Sequence, residues 1–532
     1  MSLSGLSDNE VSPAILPKPR GFWGDLRHIL PGWLISRRTP RAESSHGLAS
    51  ATIEPGPIDV PLVIDLDGTL LRTDALLESA LKLAKERPLS MFQMPFWLWQ
   101  GHAEFKQKLA TLAPLAADTM PINEEVRAFA VSEHARGRKI YLATAADQSV
   151  ADAIARSIPI FEGVVASQGS INMKGHVKAD RLTSLFPNGF AYAGDSRADF
   201  PVWAQTSEII LVGHTLRTER VASHFGRPVR AFPTSSRWQA LFEGMRPHQW
   251  AKNTLVFLPP VLGGAMSNAA AVTATTLAFI ALCLVASATY LINDLWDVTD
   301  DRQHWSKRKR PIASGRLPIA TAITAVPLTL ACGLVIAGLV SHQVLLVIGF
   351  YLALTLSYSF WGKRIPMLDV SCLAGLFTTR IALGIVSSGV QPSPWLLIFS
   401  MFLFASLCFA KRYVEIVRSA ALGRTSVNSR GYEAQDVPLV LAVGLGTGMT
   451  SIAIMVLYII FDAFKRTFYG DTIWLWAMPL IMFLWICRIW LMAVRDKLND
   501  DPVAFALRDP PSLGLGGTMC AAFLLAWSGV FT

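Results

Sequence analysis

The chain has 532 residues, 52% of them hydrophobic, a mean hydropathy of +0.38 and a formal net charge of +9. That average hides two unlike halves: residues 1–245 mix polar and apolar sequence, while residues 253–531 consist largely of apolar runs of bilayer-crossing length, which excludes a wholly water-soluble chain. The surplus cations sit largely between apolar runs, which makes them a topology signal and argues against a nucleic-acid partner.

Residues 1–58 are rich in Pro, Ser, Arg and Gly with little periodicity and are expected to be a flexible leader. Arg37-Arg38 precedes no apolar core, so it is no export signal. The patch Gly21–Ile35 is expected to lie on a membrane surface or dock on the next domain.

Residues 59–230 alternate strand-like and helix-like segments, the pattern of an α/β domain with a parallel sheet. The expected strands are VPLVIDLD, KIYLATA, GVVAS and FAYAGD, each ending in small or polar residues. VIDLDGT puts Asp65 and Asp67 past the carboxyl end of a buried strand, where open α/β sheets bind ligands. LATAAD ends a strand at Thr144, KGHVKADRL opens a helix near Lys178, and YAGDSRADF supplies Asp195 and Asp199. In this order the four motifs resemble the haloacid-dehalogenase superfamily of phosphohydrolases, over about residues 60–215.

That resemblance implies Asp65 as nucleophile and Asp67 as general acid/base, with Thr144 and Lys178 holding the phosphoryl group. It also implies a Mg2+ site made by Asp65, Asp195 and Asp199, in keeping with the oxygen ligands of that ion. The stretch between the first two motifs is expected to form a small helical cap. Its segment Met91–Gly101 is unusually apolar, and contact with lipid or the membrane half is preferred over cap core.

Residues 231–252 are a linker and interfacial segment, and 253–532 are expected to form an all-α membrane bundle. About nine apolar runs have bilayer-crossing length: 253–271, 273–292, 317–339, 343–361, 369–388, 393–411, 437–461, 472–493 and 511–531. Pro259 and Pro260 make the first the weakest. One set of loops carries nearly all the cations, from Arg302 through Arg424 to Arg508, and the alternate set only Lys465 and Arg466. The positive-inside rule then expects the cation-rich loops and the amino-terminal domain in the cytoplasm, in an inner (cytoplasmic) membrane. With an odd number of spans the carboxyl terminus lies outside. All six cysteines fall in apolar runs without close spacing, so metal sites and disulfides are not expected.

At the end of the second run, Tyr290, Asp294, Asp297 and Asp301 fall on one helical face, flanked by Asn293 and Asp300. Such a cluster repels itself unless cations bridge it, and Mg2+ that also holds substrate phosphates is the natural bridge. Lys307 to Arg310 follow as phosphate contacts. NDxxDxxxD followed by KRPI resembles the UbiA-type intramembrane prenyltransferase superfamily, over about residues 244–531. The resemblance implies a cavity in which Mg2+ activates a diphosphate leaving group, with Asp294 and Asp297 catalytic and Asp294, Asp297 and Asp301 as metal ligands.

Typical aromatic prenyltransferases of that superfamily carry a second motif, DxxxD. Here Asp369 is present but Leu373 stands at the second carboxylate, and Tyr358, Lys363 and Arg380 lie in the same stretch. With RPHQWAKN (Arg246–Asn253) and AKRYVEI from Ala410, the pattern resembles the branch of decaprenyl-phosphate phosphoribosyltransferases. The resemblance implies transfer of 5-phosphoribose from phosphoribosyl diphosphate to a polyprenyl phosphate. Lys252, Arg380, Lys411 and Arg412 are the candidates for the ribosyl 5-phosphate and the lipid phosphate, in no assigned order. Further phosphate-site candidates are Asn293, Lys307, Arg310, Tyr358 and Lys363. A prenyl diphosphate donor with an aromatic or other small acceptor is the alternative.

Overall fold

The apolar segments Leu62–Ile64 (β1), Ile140–Asp147 (β2), Phe161–Ser167 (β3), Ala191–Gly194 (β4), Glu208–Val212 (β5) and Val229–Phe232 (β6) pair in the order β3-β2-β1-β4-β5-β6. Every pairing is parallel. A parallel sheet is covered on both faces, so its strands read as near-continuous apolar runs, as β1 and β5 do. The first four match the expected strands, and β5 and β6 extend the sheet beyond them.

The computed structural model describes residues 58–532 except 170, 214–215, 234–235, 424–429, 466–468, 499–501, 507 and 529–532. The leader up to residue 57, with its Gly21–Ile35 patch, lies outside the described residues, as do Arg424 and Arg466.

Between β1 and β2 the cap is built by the helices Ala75–Glu86 (α1), Met94–Gln100 (α2) and His102–Leu112 (α3), and the helix Glu124–Ala135 then leads into β2. The Asp74 carboxylate caps α1 by accepting from Leu77 N at 3.0 Å. Leu83, Trp97, Phe105 and Leu109 form the core of this small cap, while Phe92, Phe96 and Trp99 stay exposed. Between cap and membrane half, α1 makes an apolar contact. Its Leu77 and Leu81 pack on the apolar cluster of Leu291, Leu295, Val298 and Leu317. Lys178 is carried by the helix His176–Leu185 (α4).

Among the described residues, eight helices are long and apolar enough to cross a membrane. They are Ala269–Trp296 (α5), Ile319–Val340 (α6), His342–Phe360 (α7), Leu368–Ser388 (α8), Pro394–Ala421 (α9), Val437–Phe461 (α10), Ala477–Val494 (α11) and Pro510–Ser528 (α12). The expected first span is not a ninth such helix. Pro247–Phe257 is 3-10, followed by the short helices Leu258–Leu262 and Ala265–Ser267. Pro259 and Pro260 remove two amide donors, and Gly264 turns left-handed at φ 71°, so no long α-helix propagates. The segment still follows the bundle. Trp250 Nε1 donates to Ser287 Oγ at 3.0 Å, and Gly384 leaves room for the Val256 carbonyl and the Pro259 ring.

The two halves meet through a buried ion pair. Arg302 donates to Glu78 at 2.5 and 3.2 Å, and Thr73 Oγ1 donates to the same carboxylate at 2.6 Å. Lys85 pairs with Asp300 at 2.9 Å, and the Gly315 Cα lies against the Arg72 backbone, where a side chain has no room.

Candidate functional site

In the soluble half the carboxyl ends of β1 and β4 bring the acidic residues together. Asp65, Asp195 and Asp199 each offer one oxygen, and these oxygens lie within 4.8 Å of one another. Lys178 Nζ donates to Asp65 Oδ1 at 2.9 Å and to Tyr192 OH at 2.9 Å, and lies 3.6 Å from Asp199. Tyr192 OH donates to Asp199 Oδ1 at 2.8 Å. Asp199 also accepts from Ser196 N and Oγ, both at 3.1 Å, which fixes its orientation. Asp67 accepts from Ala75 N at 2.8 Å. Gly68 sits at φ 76° with the Asp195 carboxylate in the space a Cβ needs, so glycine is required there twice over.

Four carboxylates against one ammonium leave excess negative charge. Burial, only partly offset by Lys178, pushes Asp65 up to about 6. Burial and then Asp74 push Asp67 up to about 7. Asp195 is raised well above its ordinary value by burial and then by Asp65 and Asp199. Lys178 is raised because those carboxylates outweigh its own large desolvation. An oxygen-only set with surplus charge fits a hard divalent cation such as Mg2+. Thr144 is fully buried, accepts from Ala146 N at 3.0 Å, and is not part of the cavity wall in front of these carboxylates. Tyr192 was not foreseen; its strand position reads as core, and only the fold brings its hydroxyl between Lys178 and Asp199.

In the membrane half α5 ends at Trp296 and a short helix, Val298–Gln303, continues, so the acidic stripe bends at Asp297. A single nitrogen, Arg310 Nη1, lies 3.1 Å from Asp294 Oδ1 and 2.6 Å from Asp301 Oδ2. Arg246 Nη2 donates to Asp294 at 2.5 Å and its guanidinium lies over the Tyr290 ring at 5.1 Å. Lys363 Nζ holds Asp297 at 2.8 and 3.0 Å, and Lys307 lies 3.8 Å from Asp301. The bridging cation expected between the carboxylates is therefore Arg310 here. Its nitrogen stands between the two carboxylates, and the donors are again oxygen alone, so Mg2+ fits this set too. Asn293 is half-buried on the same helix and makes no side-chain hydrogen bond among the described residues.

A second cluster joins α8 and α9. Arg412 Nε donates to Asp369 at 2.5 Å and its Nη1 to Glu415 at 2.5 Å, with Tyr358 OH 3.5 Å from Nη2. Tyr432 OH donates to the other Asp369 oxygen at 2.6 Å, and Arg430 Nη1 donates to Tyr358 OH at 3.3 Å. Lys411 lies 3.9 Å from Glu415. Asp369 and Arg412 are 0% and 1% exposed, so this carboxylate is committed to protein partners. Arg380 lies deeper in the bundle, donating to Asn253 Oδ1 at 2.8 Å and the Leu376 carbonyl at 2.5 Å. It is thereby separated from the Arg412 cluster. Lys252 is half-buried on the 3-10 segment, one residue before Asn253. Arg430, Tyr432 and the structural role of Arg246 went unseen in the sequence, because each acts on a partner more than 45 residues away.

A family model described as the UbiA prenyltransferase family matches residues 257–508. The uncharacterised protein y4nM of Sinorhizobium fredii is 40% identical over 473 residues, which is 88% of this chain and 91% of that protein. A decaprenyl-phosphate phosphoribosyltransferase of Mycobacterium tuberculosis is 30% identical over 284 residues, 52% of this chain and 90% of the relative. Among solved structures, a UbiA homolog from Archaeoglobus fulgidus bound to GPP and Mg2+ covers 56% of this chain and 100% of its own, at 14% identity and a TM-score of 0.41. The acidic helix end met by a basic loop, the multi-pass helical half and relatives matched over nine-tenths of their length together make this chain a member of the UbiA prenyltransferase family.

Proposed function

We propose that the membrane half transfers 5-phosphoribose from phosphoribosyl diphosphate to a polyprenyl phosphate, and that the soluble half removes the 5-phosphate of the product. The observation that carries the first step is Asp369. The one carboxylate of the second acidic stretch is buried against Arg412 and Tyr432, and the groups around it are Arg430, Lys411 and Tyr358. A site built this way favours more phosphate than one metal-bound diphosphate, as a phosphorylated sugar donor and a lipid phosphate together require.

An oxygen of the polyprenyl phosphate attacks the ribose C1 as the bond from C1 to the diphosphate breaks. The diphosphate departs with the bonding pair, and C1 passes through oxocarbenium character. Asp294, Asp297 and Asp301 are the residues that would hold Mg2+, which when bound neutralises charge on the leaving diphosphate. Arg246, Arg310 and Lys363 already stand at those carboxylates and bind the diphosphate oxygens. Lys252, Lys307, Asn293, Arg380, Lys411 and Arg412 remain candidates for the other phosphates.

In the soluble half Asp65 attacks the 5-phosphorus, the bond to O5′ breaks, and Asp67 gives O5′ its proton. A pKa near 7 suits that donor role. Water then cleaves the aspartyl phosphate with Asp67 as base, releasing inorganic phosphate. Lys178 holds the phosphoryl oxygens. Asp65, Asp195 and Asp199 would hold Mg2+. Both halves act at the cytoplasmic face of the inner membrane, on the charge asymmetry of the loops.

Purified protein in detergent with Mg2+, labelled phosphoribosyl diphosphate and polyprenyl phosphate tests this. Label entering the lipid, abolished by Asp294→Ala, is expected. Turnover of a prenyl diphosphate with an aromatic acceptor in its place would establish the alternative donor.

A further inference from the structure

The cavity in front of Asp65 and Asp67, about 940 Å3, is walled by both halves of the chain. Opposite the carboxylates lie Gly315 and the first turn of α6, Pro318–Ala320. From that turn α6 presents Ile323, Leu328, Val335 and Leu339 outward, the face a bilayer covers. The phosphohydrolase site therefore opens where a lipid-facing helix begins.

Two guanidinium groups on this cavity wall have no carboxylate partner among the described residues. Arg72, in the loop after β1, donates Nη2 to Asn123 Oδ1 at 3.3 Å, while its Nε is buried with no acceptor. Arg237 lies over the Trp238 ring at 5.3 Å, and that indole is 64% exposed. The helix that carries both, Arg237–Gly244, is seated by Ala240 and Leu241 on Leu291 and Leu295, at the charged end of α5. Of the other cations on this wall, Lys178 is held by Asp65, and Lys174 is an exposed ammonium rather than a guanidinium fork; two more are committed. Arg316 forks onto Glu243 at 2.7 and 2.8 Å, and Lys106 donates to the Ala145 carbonyl and Asn172. A buried N–H without an acceptor is a site that a ligand oxygen satisfies. Arginine forks suit phosphate oxygens.

We propose that Arg72 and Arg237 form a second anion subsite that holds the phosphodiester of a lipid-linked phosphosugar while the sugar's terminal phosphomonoester lies at Asp65. The lipid chain leaves the cavity past Pro318–Ala320 and runs along the outer face of α6. Substrate is thereby taken from the membrane plane, and a free sugar phosphate fills only the Asp65 end. The assignment rests on the reading of the soluble half as a phosphohydrolase.

The test uses the full chain in detergent with Mg2+ and two substrates, polyprenyl-phosphoryl ribose 5-phosphate and free ribose 5-phosphate. The quantity read is the ratio of kcat/KM for the lipid to kcat/KM for the free ester. Arg237→Ala and Arg72→Ala are each expected to lower that ratio about tenfold or more, mainly through KM for the lipid, with Arg72→Lys recovering part of it. A ratio unchanged in both variants, or equal losses in kcat on both substrates, overturns the subsite. So does a wild-type enzyme that hydrolyses only the free ester. If wild type and Asp65→Asn are equally inert on both substrates, the phosphohydrolase reading itself falls.

Discussion

Arg310 shows how the membrane site is balanced. Its guanidinium neutralises Asp294 and Asp301, which are both 2% exposed in their side chains. Removing it leaves two buried carboxylates facing each other and, in the proposed reaction, takes a donor from the leaving diphosphate. Arg310→Ala is expected to lower label transfer into lipid by about a hundredfold or more. Arg310→Lys should recover part, because one ammonium can bridge both carboxylates as the single Nη1 does but offers an anion no planar fork. The soluble carboxylates predict a pH effect. Asp65 and Asp67 titrate near 6 and 7 when folded, against 3.8 ordinarily, because burial disfavours their charged forms. Over that window the folded chain binds protons the unfolded chain has released, so stability falls as pH rises through the folded values. In chelator, the melting temperature of the soluble half is expected to drop from about pH 5 to about pH 8. Asp65→Asn/Asp67→Asn should flatten that slope, and Mg2+ should raise the melting temperature more at the alkaline end, where the carboxylates are charged and free to bind it.

The 3-10 segment Pro247–Phe257 depends on a single glycine of α8. Gly384 has the Val256 carbonyl and the Pro259 ring where its Cβ would stand. Gly384→Ala must push that segment away, straining the Arg380–Asn253 contact one helical turn below. A loss of about 1–3 kcal/mol in unfolding free energy is expected, read as a fall in the midpoint of thermal unfolding in detergent. This is also where reading from sequence reached its limit. The two prolines flagged Pro259 and Pro260 as a weak span, but nothing local specified a long 3-10 segment held by a neighbour's glycine. The strands β1 to β4 were legible, because small and polar residues punctuate apolar runs at sheet ends, although β2 runs three residues past the expected end at Thr144 to Asp147. β5, an unbroken EIILV, carries no such punctuation and reads equally well as buried helix. That the carboxylates gather within each half was legible, from helical spacing in the membrane half and from motif order in the soluble half. Their partners were not, since Arg412 with Asp369 and Arg310 with Asp294 are chosen by tertiary packing and leave no periodic trace.

Glu78 and Arg302 tie the halves of the molecule together at a point close to both sites. Arg302 follows Asp301, which holds Arg310, and Glu78 accepts from Thr73, whose carbonyl receives the Gly68 amide beside Asp67. Both side chains are under 8% exposed, so cutting the pair from one side strands a buried charge. Arg302→Ala is expected to cost about 3–5 kcal/mol of stability and to lower transfer and phosphate release together. Glu78→Leu with Arg302→Met behaves differently, because an apolar pair in place of a buried ion pair is often neutral or stabilising. The double variant should recover the melting temperature. If the pair serves only to glue the halves, both activities return with it. If it also sets the loops that carry Asp67 and Asp301, the double variant melts normally yet stays slow in both reactions, with kcat reduced more than KM. Melting curves and single-turnover rates on the same three proteins separate these outcomes. The position of Thr73 and Asp301, each bonded within one residue or one side chain of the pair, leads us to expect the second.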